Sequence, residues 1–325
     1  MKAAVLRALR SVPQYEDFAE PVPGEGQAVV SVRAASLKNL DRGLASGLHY
    51  GSRALPLPCV VGIDGVGVLE DGSRVYTDAL PPYGMMAERA LVAHGRGFSI
   101  PDGIDDALAA ALPNPGISAY FALAWRGLLE AGETVLVLGA TGVTGALAVQ
   151  LAKRLGAGRV VAAGRKPARL EALLDQGADA IISLAEGNEA LERAFRAEAA
   201  LHPFDLVLDY LWGRPTEVLL SALSGHDLKA EAQSTRLVQV GSMAGSVINL
   251  EANILRSAGV ELYGLSGGSI PKEQLARIPG EVLPLLFDLA QRGELHLGLE
   301  PVPLSEVART WQREDLAGKR VVFIP

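Results

Sequence analysis

One cysteine, Cys59, is present in 325 residues. A chain with a lone thiol has no intrachain disulfide and no zinc cluster built from cysteines, and it suits a reducing, cytoplasmic setting. No apolar run approaches the ~20 residues needed to span a bilayer. The apolar opening Ala3-Ala4-Val5-Leu6 is interrupted by Arg7 and Arg10 before a signal-type core could form. Positive charge is also in short supply. Thirty Lys and Arg against 37 Asp and Glu leave a net charge of -7, so a general nucleic-acid binder is not expected and any cationic function must be local. Fixed-period repeats and low-complexity tracts are missing. What remains is a chain long enough for about two domains. Its 49% hydrophobic and 21% charged residues are ordinary for a globular enzyme.

The most informative segment that is present runs from Val135 to Gly145, V-L-V-L-G-A-T-G-V-T-G, and leads into the amphipathic stretch Ala146 to Leu155. It predicts a buried strand, a tight turn and a helix. Gly139 permits the turn, Gly142 lets the backbone approach a pyrophosphate, and Gly145 lets helix and strand pack closely. Unbonded amides at the helix start then face the phosphates, which points to Thr141, Gly142, Val143 and Thr144 as nucleotide contacts. A second strand, Arg159 to Ala163, ends at Arg165 and Lys166 with Arg169 beyond. A dinucleotide fold places an acid there when the ribose carries a free 2'-hydroxyl. Cations instead favour a 2'-phosphate, hence NADPH. The alternative is that these three cations form a solvated helix start, a location where the helix dipole disfavours them.

Before the glycine turn the chain reads as β-rich, with strands over Ala28 to Ala34, Val60 to Leu69 and Met85 to Val92, separated by prolines. From Ile117 the rhythm is α/β. Helices are predicted over Ser118 to Leu129, Gly145 to Leu155, Pro167 to Gln176, Asn188 to Leu201 and Thr216 to Leu223. They alternate with strands at Val135 to Leu138, Arg159 to Ala163, Ala180 to Leu184, Asp205 to Tyr210 and Arg236 to Val240. Such alternation gives a doubly wound parallel sheet. A strand at Val260 to Leu265, a helix at Pro271 to Arg292 and a last strand at Arg320 to Ile324 form a tail too small to fold alone. The expected division is therefore discontinuous, with residues 1–117 and 259–325 in one domain and 118–258 in the other.

Gly62-Ile63-Asp64-Gly65-Val66-Gly67, Gly72-Ser73-Arg74-Val75, Gly84-Met85-Met86-Ala87-Glu88, the glycine turn and the closing Gly318-Lys319-Arg320-Val321-Val322 occur in one order along the chain. In that order they resemble the medium-chain dehydrogenase/reductase superfamily over essentially the whole length. The resemblance implies an α/β protein, a β-rich GroES-like catalytic domain joined to a Rossmann domain. Zinc alcohol dehydrogenases of that superfamily carry Gly-His-Glu where this chain has Gly62-Ile63-Asp64, and a zinc-binding cysteine near Lys38. Lysine and isoleucine are not zinc ligands. The four-cysteine structural lobe is replaced by the short Thr77 to Tyr83 connection. The chain thus resembles the zinc-independent quinone oxidoreductase branch, with no metal expected.

That branch implies an NADPH-dependent reductase of quinones or activated alkenes such as enones and enals. Without a Lewis acid, an alkoxide is harder to stabilise than the delocalised enolate that follows hydride addition to a conjugated C=C. The branch's N-P-x-D segment is altered to Lys38-Asn39-Leu40-Asp41, by displacement of the asparagine or its replacement by lysine. Tyr50, Lys38 and Asn39 fall in the segment that the family places over the nicotinamide and are the candidate donors. Tyr50 resembles a tyrosine of the family's enoyl-thioester reductases, at the cost of one insertion; otherwise it is an aromatic loop wall. Asp41 is expected to cap or pair, Asp64 to accept backbone hydrogen bonds, Cys59 to be a buried apolar residue, and His94, His202, His226 and His296 to lie at the surface. His49 is the histidine nearest these donors.

Further cofactor contacts carried over by position are Ser118, Val240-Gly241-Ser242 and Leu265-Ser266, each of which is otherwise ordinary turn chemistry. The strand Val260 to Leu265 resembles the edge through which the family forms homodimers. Two rivals remain at this level: a zinc-independent alcohol or carbonyl dehydrogenase, and a low-turnover NADPH-binding redox sensor.

Overall fold

A computed structural model describes residues 1–224, 234–313, 315 and 318–325; His226, expected at the surface, lies outside them. The chain divides into two compact units. One comprises Met1–Asn114, Leu283–Gly293 and Leu297–Pro325, and the other Pro115–Val282 with Glu294–His296. The tail therefore returns to the N-terminal unit at Leu283, not at residue 259.

The reason is strand pairing. Val260–Gly264 aligns parallel with Thr235–Gln239, matching Thr235 to Val260 and Gln239 to Gly264. It is the last of six strands in the order Ala180–Ser183, Arg159–Gly164, Thr134–Leu138, Leu206–Asp209, Thr235–Gln239, Val260–Gly264. All neighbours are parallel. Numbered along this unit the order is 3-2-1-4-5-6, the doubly wound dinucleotide arrangement. Strands Thr134–Leu138 and Leu206–Asp209 are buried throughout, and Arg159–Gly164 from Val160 onward, as both faces of a parallel sheet must be when helices cover them. Helix Asn188–Leu201 matches its expected bounds and buries Leu191 and Phe195 on one face.

Two predicted helices are modified. The first begins earlier, at Pro113–Tyr120, and widens to a π-helical turn over Phe121–Arg126. The long C-terminal helix is broken into Lys272–Leu275, a π turn Ile278–Val282 and Leu283–Gln291. Pro279 and Pro284 lack the amide that an uninterrupted α-helix requires.

The N-terminal unit is β-rich and GroES-like, with a three-stranded sheet and a seven-stranded sheet. Gln27–Ser36 is the spine of the larger sheet, pairing with Asp64–Val68, Arg89–Ala93 and the final strand Arg320–Ile324. Leu299–Pro303, not foreseen, runs parallel beside that final strand. Among the described residues no helix is long and apolar enough to cross a membrane.

Candidate functional site

In the nucleotide unit the register brings the expected contacts to one sheet edge. Leu138 is paired with Ala163 on one side and Asp209 on the other, Asp209 with Gln239, and Gln239 with Gly264. Residues that follow those positions therefore emerge together at the carboxyl ends of the strands: 139–144, 165–169, 210–213, 240–242 and 265–266. This edge contains the point where strand order reverses, between Thr134–Leu138 and Leu206–Asp209.

The glycine turn is built for its task. Gly139 has φ +88°, a left-handed conformation open to glycine. A Cβ on Gly145 would lie 2.3 Å from Gly139 O and 2.8 Å from Ala140 Cα, so helix Val143–Arg154 sits directly on the turn. Gly142, the N-cap, supplies no side chain to the first helical turn. The amides of Val143, Thr144 and Gly145 lack intrahelical acceptors by position and can receive an anion. At the adjacent strand end, a Cβ on Gly164 would lie 2.5 Å from Thr141 Cγ2, so residues 165 and 166 leave the sheet beside the turn.

Arg165 and Lys166 are exposed, and among the described residues neither has an ion-pair partner. Arg169 is half-buried and its Nη1 donates to Thr141 O at 3.2 Å, tying the second helix to the turn. The glycine cradle and the amides at the helix start together suit a dinucleotide pyrophosphate.

The remaining expected contacts are more uneven. Ser118 is half-buried on Pro113–Tyr120, Val240 and Gly241 are half-buried, and Ser242 and Ser266 are exposed. Leu265 is buried and its amide donates to Gln239 O at 2.9 Å. Its side chain and N–H are already committed, which leaves only its carbonyl for a ligand.

Asp209 was missing from the expected set. Fully buried, it accepts hydrogen bonds from Leu211 N at 2.8 Å, Trp212 N at 2.9 Å and Thr216 Oγ1 at 2.6 Å. Its carbonyl accepts from Val240 N at 2.8 Å and Gly241 N at 3.1 Å. One residue thus fixes two loops of the edge, including Trp212 at φ +56°, which a bulky side chain seldom adopts. Burial raises the Asp209 carboxyl.

Near Ser118, Tyr120 OH donates to Glu281 Oε1 at 2.5 Å, and Arg277 pairs with the same carboxylate. Burial, then that hydrogen bond, pushes the Tyr120 phenol from an ordinary 10.0 to about 12. The folded chain then holds this proton more tightly than the unfolded one. Its contribution to stability is complete below pH 10 and is lost as pH rises toward 12. Tyr120→Phe is expected to flatten the fall of urea-unfolding stability across that window; an unaltered slope would contradict the coupling.

In the N-terminal unit the three donor candidates separate. Tyr50 is 72% exposed and opens the short helix Tyr50–Ala54, its ring 4.1 Å from that of His49. His49 Nδ1 accepts from Gly51 N at 3.1 Å, which holds the ring at the start of that helix. Asn39 is exposed at the start of helix Asn39–Ala45.

Lys38 does not belong with them. Its side chain is 1% exposed, and Nζ lies 3.0 Å from Asp64 Oδ1 and 3.8 Å from Asp41 Oδ2. The Asp64 contact is an ion pair without hydrogen-bond alignment. Lys38 Nζ also donates to Ser36 O at 3.0 Å. Lys38 is therefore an interior cation, not a group presented to substrate, because the two aspartates beside it draw it inward. Asp41 caps as expected, accepting from Lys38 N at 2.8 Å and Ile63 N at 3.3 Å, and burial raises its carboxyl. Cys59 is buried, and His94, His202 and His296 are exposed.

An anion-receiving turn at the switch point of a doubly wound sheet, joined to a GroES-like unit, defines an oxidoreductase that uses a nicotinamide cofactor. No family model matches the chain. The quinone oxidoreductase of Thermus thermophilus, whose structure is also known in complex with NADPH, is 30% identical. It superposes with a TM-score of 0.80 over 100% of both chains. A probable NADPH-dependent quinone reductase of Emericella nidulans is 28% identical over 96% of each chain. Human quinone oxidoreductase is 27% identical over 95% of this chain and 92% of its own. The chain belongs to the quinone oxidoreductase branch of the medium-chain dehydrogenase/reductase superfamily.

Proposed function

We propose that the protein is an NADPH-dependent, zinc-independent reductase of quinones or activated alkenes. The observation that carries this reading is the pair Arg165 and Lys166, exposed and, among the described residues, without an ion-pair partner beside the glycine turn, where a carboxylate would select NADH. The relatives named as NADPH-dependent or solved with NADPH support it. Zinc independence rests on donor chemistry. Position 63 is isoleucine and position 38 a lysine whose ammonium already neutralises the neighbouring carboxylates.

The bound cofactor supplies the hydride; the protein's residues orient it and receive charge. The amides of Val143 and Thr144 hold the pyrophosphate, Arg165 and Lys166 the 2'-phosphate, and the loops fixed by Asp209 keep Val240 to Ser242 in place. We assign the donor to the substrate oxygen, where negative charge grows during reduction, to Tyr50 or Asn39. Tyr50→Phe is expected to slow turnover about tenfold or more while NADPH affinity is unchanged. Unchanged turnover would remove Tyr50 from the chemistry.

We further assign a homodimer formed through Val260–Gly264, an open sheet edge on which Leu262 is 37% exposed, and a cytoplasmic location, where a free thiol such as Cys59 stays reduced. An enone tests the reaction directly, since it offers both bonds. The saturated ketone is the expected product, whereas the allylic alcohol would favour a carbonyl dehydrogenase, and NADPH binding with neither product a sensor.

A further inference from the structure

Lys38 is surrounded by oxygen. Around its Nζ stand Ser36 O at 3.0 Å, Asp64 O at 3.5 Å, Asp64 Oδ1 at 3.0 Å and Asp41 Oδ2 at 3.8 Å. They come from three segments: the end of strand Gln27–Ser36, the start of helix Asn39–Ala45 and the start of strand Asp64–Val68. A second buried cation, Arg320, donates to Leu37 O at 3.1 Å. Lys38 and Arg320 thus balance Asp41 and Asp64 in the interior. Burial, and then the nearby Asp64 and Asp78 carboxylates, hold the adjacent Tyr76 phenol well above its ordinary value.

Such a cluster is poorly explained by stability. Desolvating each ion costs several kcal/mol, and well-packed apolar residues often serve a core as well or better. What the ions provide is directional fixation. Lys38 joins Ser36 to Asp64 through its side chain, while Asp41 joins Lys38 N to Ile63 N. The peptide from 36 to 39 is thereby pinned to residues 63 and 64, and the next side chain, Asn39, is exposed at the helix start.

We propose that Lys38 is a positioning residue: its ammonium is a tethered cation in a four-oxygen cage that sets the orientation of Asn39. This rests on the assignment of Asn39 as a possible donor to the substrate oxygen. It also gives the altered Lys38-Asn39-Leu40-Asp41 segment a physical meaning. The lysine goes inward as the anchor and the asparagine after it is the group displayed.

Lys38→Ala removes a propylammonium-sized piece, so free propylammonium is the natural probe. In the full-length protein with a quinone acceptor, Lys38→Ala is expected to lose about a hundredfold in kcat with NADPH affinity unchanged within about twofold. Propylammonium should restore at least about tenfold of that loss, and tetramethylammonium, which has no N–H to donate, should not. The double variant Lys38→Met/Asp64→Asn, which removes one charge of each sign, keeps the fold testable if the single variant unfolds. It should melt within about 5 °C of the parent yet remain slow. Parental turnover in the folded double variant, or equal response to both ammonium ions, would overturn the proposal. If the parent itself reduces no quinone or enone, the functional reading has failed instead. The cage is then judged by whether propylammonium alone raises the melting temperature of Lys38→Ala, with no selective rise counting against it.

Discussion

Arg165→Asp is expected to weaken NADPH about a hundredfold while changing NADH by less than about threefold. Arg165 follows the strand Arg159–Gly164 directly and is exposed, and among the described residues no carboxylate claims it. A guanidinium so placed loses nothing internal when removed, so the fold should be unaffected and the whole effect should fall on the 2'-phosphate. Aspartate adds repulsion to the loss of two charge-assisted hydrogen bonds. Lys166 retains part of the attraction, which sets the ceiling near two orders of magnitude. Fluorescence titration with both nucleotides measures it, and equal weakening would remove Arg165 from the phosphate site.

The second large effect separates two glycines of one turn. In Gly145→Ala the new methyl would lie 2.3 Å from Gly139 O and 2.8 Å from Ala140 Cα. Both are backbone atoms that cannot swing aside. We expect a destabilisation of about 3 kcal/mol, or a melting temperature lower by roughly 6–12 °C. In Gly142→Ala the nearest atom is Gly139 O at 3.3 Å, and φ is -82°, which alanine accepts. That variant should melt within about 2 °C of the parent. Its methyl would instead stand where the pyrophosphate approaches the helix amides, weakening NADPH and NADH alike by about tenfold or more. Normal cofactor binding by a folded Gly142→Ala would place the pyrophosphate elsewhere. A thermally unchanged Gly145→Ala would contradict the close packing.

These two sites also mark what could be read before the structure. The glycine turn and strand end are local signals, in which each residue type has one physical purpose, and 139–145 and 165–166 stand where the spacing placed them. Helix Asn188–Leu201 was legible for the same reason, since its apolar period survives among many charges. Lys38 was not. Its place in a donor segment was apparent, but its direction depends on Asp64, 26 positions later, drawing the ammonium inward. In the sequence Asp209 is simply the end of a strand, since its role comes from the Leu211 and Trp212 amides beyond that end and from Thr216 in the following helix. The tail boundary falls at Leu283 and not at residue 259 because Val260–Gly264 pairs with Thr235–Gln239 and completes the nucleotide sheet.

The most direct test of metal-free, NADPH-specific reduction is steady-state nicotinamide oxidation with para-benzoquinone, run on chelator-treated protein with NADPH and NADH in parallel. The predicted result is quinone-dependent NADPH consumption that survives chelation, with kcat/KM for NADPH at least about tenfold above that for NADH. Turnover that appears only on adding zinc, or that proceeds equally well with NADH, would contradict it.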